Sequence, residues 1–332
     1  MIADSRYTNR IIIFLFFISH LLFLTSLHAQ KVSRKEKNEI LTEGLALYSI
    51  ILANWTSNDL YYENEFNAGI VSGYLSYRNK DTVKTIFWRE IDTTSAAYKA
   101  SLFKKAGDTV ASEQQNTKPE ELRRIIKTIR YAKMNVKKQN AKISDEDERI
   151  PTNYEKMLID YRTLTYNEMN KDTSFFIKYE GATLKAVPMD AGKKMKVFIY
   201  SGSNVDDVVP LGGDYLLVFD KKKNILEQKI KLHNNIIFIS TKYRGKSYDD
   251  NKSSYHYHKD GAPNLITPTD IATILLYKSN IEWDEHHVIS DKFTSIFTLI
   301  DRKLDMITTR EYKQLKKKSN IKKEDTKKKN WH

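Results

Sequence analysis

The order of hydrophobic patterns along the chain constrains its fold more than any other feature of the sequence. Apolar residues recur at helical spacing over 36–54, and short aromatic and β-branched runs separated by polar turns follow over 58–111. Helical spacing returns over 117–142 and 151–170, and strand-like runs with one helix among them follow as far as residue 300. Strands and helices do not alternate strictly. We therefore predict an α+β or mixed α/β fold, with an N-terminal helix and β-meander, two helices, and then an α/β region.

The predicted strands are short and are bounded by polar turns. In the meander they cover 73–78, 83–90 and 98–104, and farther along they cover 175–179, 196–200, 215–220, 225–232, 286–290 and 295–300. A further helix is predicted over 270–277. A polar stretch at 140–150 marks the predicted boundary between an N-terminal region (31–145) and a C-terminal region (150–310).

The first 29 residues have the three-part layout of a secretory signal peptide. Arg6 and Arg10 supply positive charge, the run over 11–24 is apolar apart from one Ser and one His, and cleavage is predicted after Ala29. The alternative is an uncleaved membrane anchor, but the run is short of the roughly 20 apolar residues that a spanning helix needs. We predict that 1–29 is removed and that the mature chain is exported to the periplasm or the extracellular space.

The chain contains no cysteine. An exported protein can use disulfides for stability, so this one must depend on burial of a hydrophobic core, for which its length suffices. The absence of cysteine also excludes a lipid anchor on a cysteine, thiol catalysis and thiolate-bound zinc.

The net charge of +13 is concentrated in two segments. One is the predicted helix over 117–142, and the other is the lysine-rich tail over 311–332, which has few apolar residues and is predicted to be disordered. No nucleic-acid-binding motif accompanies the charge, so we predict no specific nucleic-acid partner. The alternatives are a solvated surface, or contact between the basic tail and anionic lipid or polymer.

Five histidines lie within 55 residues, and none occurs in the first 200 residues after the signal peptide; the five are His233, His256, His258, His286 and His287. His256 and His258 form a His-x-His pair. On a strand, their side chains point to the same face with Cα atoms about 7 Å apart, so both rings can reach one ion.

The segment after this pair predicts a helix start that supplies a carboxylate. Thr267 is the expected N-cap, Pro268 the first helical residue, and Asp270 the third. A carboxylate in the first turn can reach past the end of the helix toward the strand that carries the histidines. His256, His258 and Asp270 are therefore the predicted metal ligands, and a water molecule would complete an open site.

The C-terminal part of the chain resembles the second half of the JAMM/MPN+ metalloprotease domain. The resemblance is carried by His256-x-His258, the segment from Thr267 to Asp270, the following helix and the strand pair over 287–299. The resemblance implies that the two histidines and Asp270 bind Zn²⁺. It also implies a catalytic role for Thr267, which stands where the family has a Ser that stabilises an oxyanion. The implied substrate is a peptide or isopeptide bond in a protein of the cell envelope.

The chain departs from that family's pattern at several positions. Lys259 replaces a Pro, Thr267 replaces a Ser, and the loop before the helix is one residue longer. The family also has a base Glu a few dozen residues upstream. No Glu lies between Glu180 and Glu227, and the carboxylates near the expected place are Asp206, Asp207 and Asp214, apart from Asp190.

Each of these residues also has an interpretation without metal chemistry. His256 and His258 can be surface residues on an edge strand, and Asp270 can be only a capping partner of Thr267. His286 and His287 are interpreted as the polar start of a strand, and His233 as a structural residue. The competing function is a non-catalytic secreted or envelope-associated interaction protein on a degenerate metalloprotease-like scaffold.

Overall fold

The structure is a computed structural model. It describes residues 31–63, 71–92, 124–135, 140–143, 149–243, 246–247, 253–259 and 261–318. The predicted signal peptide over 1–29, the predicted strand over 98–104 and residues 319–332 of the basic tail lie outside the described residues. The prediction of disorder is wrong for the first part of the tail, 311–318, which is helical.

Helices and strands are both prominent, so the α+β fold class is confirmed. The helices are Arg34–Glu63 (α1), Asn153–Lys171 (α2), Pro268–Leu276 (α3) and 309–318 (α4), with a 3₁₀ turn at Lys278–Asn280. The strands are Gly73–Asn79 (β1), Thr82–Asp92 (β2), Arg124–Asn135 (β3), Asn140–Ile143 (β4), Ala182–Ala191 (β5), Lys194–Ser203 (β6), Val208–Gly212 (β7), Tyr215–Asp220 (β8), Ile225–Lys231 (β9), Ile236–Ser240 (β10), Lys242–Tyr243 (β11), Lys246–Ser247 (β12), Ser253–Tyr257 (β13), Glu285–Ile289 (β14), Phe293–Thr298 (β15) and Lys303–Thr308 (β16).

Three four-stranded sheets carry most of the structure. Their strand orders are β1-β2-β3-β4, β5-β6-β8-β9 and β13-β14-β15-β16, and the pairs β7–β10 and β11–β12 complete the pairing. In the third sheet β13 runs parallel to β14, while the other neighbours are antiparallel. Among the described residues β13 is an edge strand of this sheet. The alternative in which His256 and His258 are surface residues also placed them on an edge strand.

The predicted helix over 117–142 is wrong, because residues 124–135 form the strand β3. β3 pairs along its length with β2, and the register shifts at Phe87 and Trp88. The isoleucines of this segment recur at helical spacing, but β-branched residues also favour a pleated sheet, and long-range pairing overrides the local preference. Only one of the two central helices, α2, is therefore present in the described chain.

The C-terminal half follows the prediction more closely. The predicted helices over 151–170 and 270–277 correspond to α2 and α3, and α2 begins with a capping box between Thr152 and Glu155. The predicted strand over 175–179 is wrong. That segment is irregular, with Phe176 buried, and β5 begins only after Gly181, whose φ is 78°.

One hydrophobic core contains residues from both sides of the predicted boundary at 140–150. Leu47 and Ile51 of α1 are fully buried in the same cluster as Ile271 of α3. The two helices approach closely at Gly44, where an added Cβ would lie 2.8 Å from the Cβ of Ile271. This contact fixes the position of α3, whose first turn carries one of the site residues.

Among the residues that the structure describes, no helix combines the length and the apolar character that crossing a membrane requires.

Candidate metal centre

Three histidines and one carboxylate converge at one point in the C-terminal half. One ligand atom from each of His233, His256, His258 and Asp270 lies within 4.8 Å of the other three. All four side chains are buried, with His233 6% exposed and Asp270 1% exposed. The structure thus brings together the three predicted ligands and adds His233 as a fourth.

The closest contacts join the ring nitrogens that point into the cluster. Nε2 of His258 lies 3.0 Å from Nε2 of His256 and 2.9 Å from Nε2 of His233. Oδ1 of Asp270 lies 3.0 Å from Nε2 of His233 and 3.5 Å from Nε2 of His256, and Oδ2 lies 3.6 Å from Nε2 of His258. These separations are similar to the edge of a tetrahedron, roughly 3.3 Å, whose centre is 2.0–2.1 Å from each ligand atom.

The pleat of β13 directs the His-x-His pair inward. His256 is buried on the strand and His258 is buried immediately after it, whereas Tyr255 and Tyr257 are 61% and 53% exposed. This is the alternation expected of a strand. The alternative of two surface histidines is therefore wrong.

Asp270 belongs to the capping box of α3 and to the cluster at the same time. Oγ1 of Thr267 accepts a hydrogen bond from the Asp270 backbone N–H (3.2 Å) and donates one to Oδ2 of the Asp270 side chain (2.8 Å). The Thr267 backbone N–H also donates to Oδ2 (2.8 Å). The cap holds Oδ2 in place and turns Oδ1 toward the histidines, so the capping and the metal interpretations of Asp270 are compatible.

His233 reaches the cluster from the turn after β9. Its backbone N–H donates to the carbonyl of Asp214 (3.3 Å). Gly212 has a φ of 95°, and a Cβ there would collide with the backbone carbonyl oxygen of Asn235. A glycine at this position therefore lets the turn pack against the end of β7.

Each histidine of the cluster has a polar protein atom near Nδ1. Nδ1 of His258 donates to the carbonyl of Pro263 (2.8 Å), and Nδ1 of His233 faces Oδ2 of Asp214 at 3.5 Å without a hydrogen bond of normal geometry. A carbonyl and a carboxylate accept hydrogen bonds only, so both contacts favour a proton on Nδ1 and a lone pair on Nε2. Outer partners of this kind are typical of histidines that bind metals through the other nitrogen.

The third outer partner is another histidine. Nδ1 of His256 lies 2.8 Å from Nε2 of His286, and Nδ1 of His286 lies 2.6 Å from Oγ of Ser254. His286 is fully buried and its ring stacks on that of Trp283 at 5.7 Å. Among the contacts of the described residues, His286 meets the cluster through His256.

Burial and the charge of Asp270 set the protonation of the cluster. Burial lowers the pKa of His256 well below its ordinary value, and it lowers the pKa of His258 as well. Burial alone would also lower the pKa of His233, but the nearby charges of Asp270 and Asp214 outweigh it and raise that pKa. Burial would raise the pKa of Asp270, but the neighbouring histidines hold it well below its usual range. At neutral pH and without a metal ion, two neutral imidazoles therefore face the ionised carboxylate of Asp270 and the protonated ring of His233.

The polar atoms of the cluster fit a metal ion better than they fit one another. Oδ1 of Asp270 accepts no hydrogen bond of normal geometry in the described chain, although Nε2 of His233 is 3.0 Å away. A buried carboxylate oxygen without a hydrogen bond is costly. Lone pairs that converge on a common point are what a cation requires, so the cluster could hold a metal ion.

Two of the residues that complete this site were not identified from the sequence. His233 was interpreted as structural, and His286 as the polar start of a strand; both are buried beside the predicted ligands. The grouping of five histidines within 55 residues was the signal that could have identified them. His287 lies on the same strand as His286, with Nε2 3.2 Å from Oε2 of Glu285, and it is not part of the cluster.

Comparison of the chain with protein-family models, with curated proteins and with solved structures finds no match in any of the three. The fold and the cluster therefore define an α+β protein with a buried His₃Asp group that could hold a metal ion.

Proposed function

We propose that this chain is an exported zinc-binding protein whose metal centre stabilises the fold. One observation carries the proposal: three imidazole Nε2 atoms and a carboxylate meet within 4.8 Å of one another in the interior. The ligands would be His233, His256, His258 and Asp270.

The donor set favours zinc over other common ions. Three imidazoles and one carboxylate in a tetrahedral arrangement are ordinary ligands for Zn²⁺. Ca²⁺ and Mg²⁺ prefer sites made of oxygen atoms, and Cu²⁺ prefers a tetragonal arrangement.

Four protein ligands and deep burial favour a structural centre over a catalytic one. Structural zinc sites are closed by four protein ligands, whereas catalytic sites keep one position open. The bound ion would join the turn after β9, the end of β13 and the start of α3, so its binding free energy would add to the stability of the fold. In a chain without cysteine, this cross-link would take the place of a disulfide.

The test is metal content and metal-dependent stability of the mature chain, residues 30–332, purified without chelators. We expect one zinc per chain. We expect a chelator to lower the melting temperature by on the order of 10 °C, since a free zinc concentration a thousand times the Kd stabilises the fold by about 4 kcal/mol. The variant His256→Ala should lose this response, and the control His287→Ala should keep it. A chain that holds no zinc, and whose melting temperature added zinc does not change, would overturn the proposal.

A JAMM-like zinc peptidase is the second candidate. It is favoured by the approach of Asp270 in the first turn of α3 to His256 and His258, as the family resemblance implies. Such an enzyme needs an open position on the metal and a carboxylate base. His233 stands beside the other ligands, and Asp214 faces Nδ1 of the His233 ring, on the side away from the cluster.

The other carboxylates considered as a base, and the predicted catalytic Thr267, are poorly placed for a peptidase. Asp206 and Asp207 line a separate cavity of about 480 Å³ together with Trp55 and Tyr277. Thr267 is 2% exposed, and its hydroxyl group is engaged in the cap of α3. The two candidates predict different responses to small anions. If the centre is closed, as a structural site is, small anions should leave the visible spectrum of the Co²⁺-substituted protein unchanged. Zinc-dependent cleavage of peptides by the wild-type chain would favour the peptidase.

Export is a separate part of the proposal, and it rests on the sequence of residues 1–29. The mature protein recovered from the periplasm or the medium should begin at Gln30. A chain recovered from the cytoplasm with Met1 intact would contradict export.

A further inference from the structure

We infer that His286 and Ser254 form a hydrogen-bonded relay that holds His256 in the tautomer required of a metal ligand. The inference rests on the proposed function, since it concerns the same centre. His286 is a positioning residue, because it contacts a ligand and not the metal position itself.

The relay is a chain of short polar contacts that begins at a cavity. Ser254 and Trp283 both line a cavity of about 410 Å³ between β10 and β13. Oγ of Ser254 lies 2.6 Å from Nδ1 of His286, and Nε2 of His286 lies 2.8 Å from Nδ1 of His256. Trp283 stacks on the ring of His286 and limits its rotation.

The relay permits two arrangements of the same protons. In the first, the Ser254 hydroxyl donates to His286, His286 donates from Nε2 to His256, and the proton of His256 sits on Nε2. In the second, His256 donates from Nδ1 to His286, and His286 donates from Nδ1 to Ser254. Only the second leaves a lone pair on Nε2 of His256.

The first arrangement suits the centre without a metal ion. Nε2 of His256 can then donate to Nε2 of His258 across 3.0 Å, since the Pro263 carbonyl keeps the proton of His258 on Nδ1. The second arrangement suits the metal-bound centre, in which every Nε2 atom must offer a lone pair. In the change from the first to the second, Ser254 passes its proton to Nδ1 of His286, and His286 passes its Nε2 proton to Nδ1 of His256. Nε2 of His256 loses its proton to solvent, and Ser254 regains one from water in the cavity that it lines, so the number of bound protons is unchanged.

His256 depends on the relay more than the other two histidines depend on their outer partners. A carbonyl or a carboxylate can only accept a hydrogen bond; the Pro263 carbonyl accepts one from Nδ1 of His258, and the Asp214 carboxylate faces Nδ1 of His233 at 3.5 Å. A neutral histidine can either accept or donate, so the partner of His256 can reverse its role. Ser254 is suited to the end of such a chain, because a hydroxyl group also both donates and accepts.

The first experiment reads the tautomers directly in the wild-type mature chain labelled with ¹⁵N-histidine. Long-range ¹H–¹⁵N correlation spectra of the zinc-loaded protein should show protons on Nδ1 of His256 and of His286. In the zinc-free protein the proton of His286 should be found on Nε2. A proton on Nε2 of His286 in the zinc-loaded protein would overturn the relay, and this measurement requires no variant to fold.

The second experiment compares zinc affinities of variants by competition with a chelating dye. His286→Phe keeps a ring against Trp283 but offers no acceptor to His256, and its affinity should fall 10–100-fold, as is usual when an outer partner of a ligand is lost. His286→Gln offers an amide oxygen and should stay within about threefold of wild type. The control His287→Gln, on the same strand, should leave the affinity unchanged.

The outcomes separate the relay from the proposed function. If the wild-type chain binds no zinc, the proposed metal centre is wrong, and the relay is rejected with it. A wild-type chain that binds zinc, with His286→Phe binding equally tightly, overturns the relay and leaves the centre in place.

Discussion

Nε2 of His233 lies 2.9 Å from Nε2 of His258, although the two residues are 25 positions apart in the chain. The Nδ1 atoms of both rings face protein acceptors, so both Nε2 atoms can offer lone pairs once the raised-pKa ring of His233 has given up its second proton. Two lone pairs at this distance repel each other unless a proton or a metal ion lies between them. This contact makes His233 the residue that decides whether the centre is closed or open.

His233→Ala should lower the zinc affinity of the mature chain more than 100-fold. Loss of an outer partner alone typically costs 10–100-fold, and loss of a ligand should cost more. Isothermal titration with zinc measures the change, and His287→Ala is the matched control because it removes a buried histidine outside the cluster. An unchanged affinity would mean that His256, His258 and Asp270 suffice, which is the open arrangement that a peptidase needs.

Thr267→Ala tests whether this residue serves the cap of α3 or a reaction. Loss of the hydroxyl group removes an N-cap, which costs about 1 kcal/mol, and frees Oδ2 of Asp270 from one of its donors. We expect lower stability in urea and weaker zinc binding, both restored by Thr267→Ser. Unchanged stability and zinc affinity in Thr267→Ala, together with loss of a peptidase activity, would favour the catalytic role.

Gly44→Ala should destabilise the fold by about 1–3 kcal/mol, although alanine is normally the better helix former. The added Cβ would lie 2.8 Å from the Cβ of Ile271, which is fully buried and cannot turn away. Urea unfolding measures the loss. In the background of Ile271→Ala the same substitution should cost far less, and equal costs in both backgrounds would contradict the close packing of α1 against α3.

Removal of residues 313–332 tests the predicted contact between the basic tail and anionic surfaces. The segment carries nine Lys against Glu324 and Asp325, and each Lys near an anionic membrane is worth about 1 kcal/mol. Sedimentation with phosphatidylglycerol vesicles should show loss of binding, and the binding of the intact chain should weaken as salt is raised. A control chain with the nine Lys replaced by Arg should still bind. Equal binding with and without the tail would reject its role.

The sequence predicted those parts of the centre that depend on local rules. The pleat of a strand places His256 and His258 on one face, and a capping box places Asp270 at the start of a helix, so the three ligands could be identified within one short segment. His233 could not be placed, because its approach depends on how the turn after β9 packs against β7. His286 joins the site only because β14 pairs in parallel with β13.

In the fold, too, the elements set by local sequence were predicted, and an element set by long-range pairing was not. The helices α2 and α3 both begin with a capping box, and both were predicted with nearly correct bounds. The segment of β3 has a pattern that suits either a helix or a strand, and its pairing with β2 decides between them. Local sequence does not contain that information.

Glu155 should make the stability of the protein depend on acid in a defined range. Its side chain is fully buried, and although burial opposes ionisation, hydrogen bonds from Arg149, Thr152 and Tyr77 lower its pKa to about 2, from about 4.5 for an ordinary Glu. A depressed folded-state pKa contributes stability that is complete above about pH 4.5 and is lost as the pH falls toward 2. The variant Glu155→Gln should therefore be less stable than wild type by about 2 kcal/mol or more at pH 6, and the difference should shrink between pH 4.5 and 2.5 in urea unfolding. Asp160→Asn, which removes an exposed carboxylate from the same helix, should change stability by less than about 0.5 kcal/mol. A constant difference between wild type and Glu155→Gln across this range would show that the carboxylate is not held ionised by its partners.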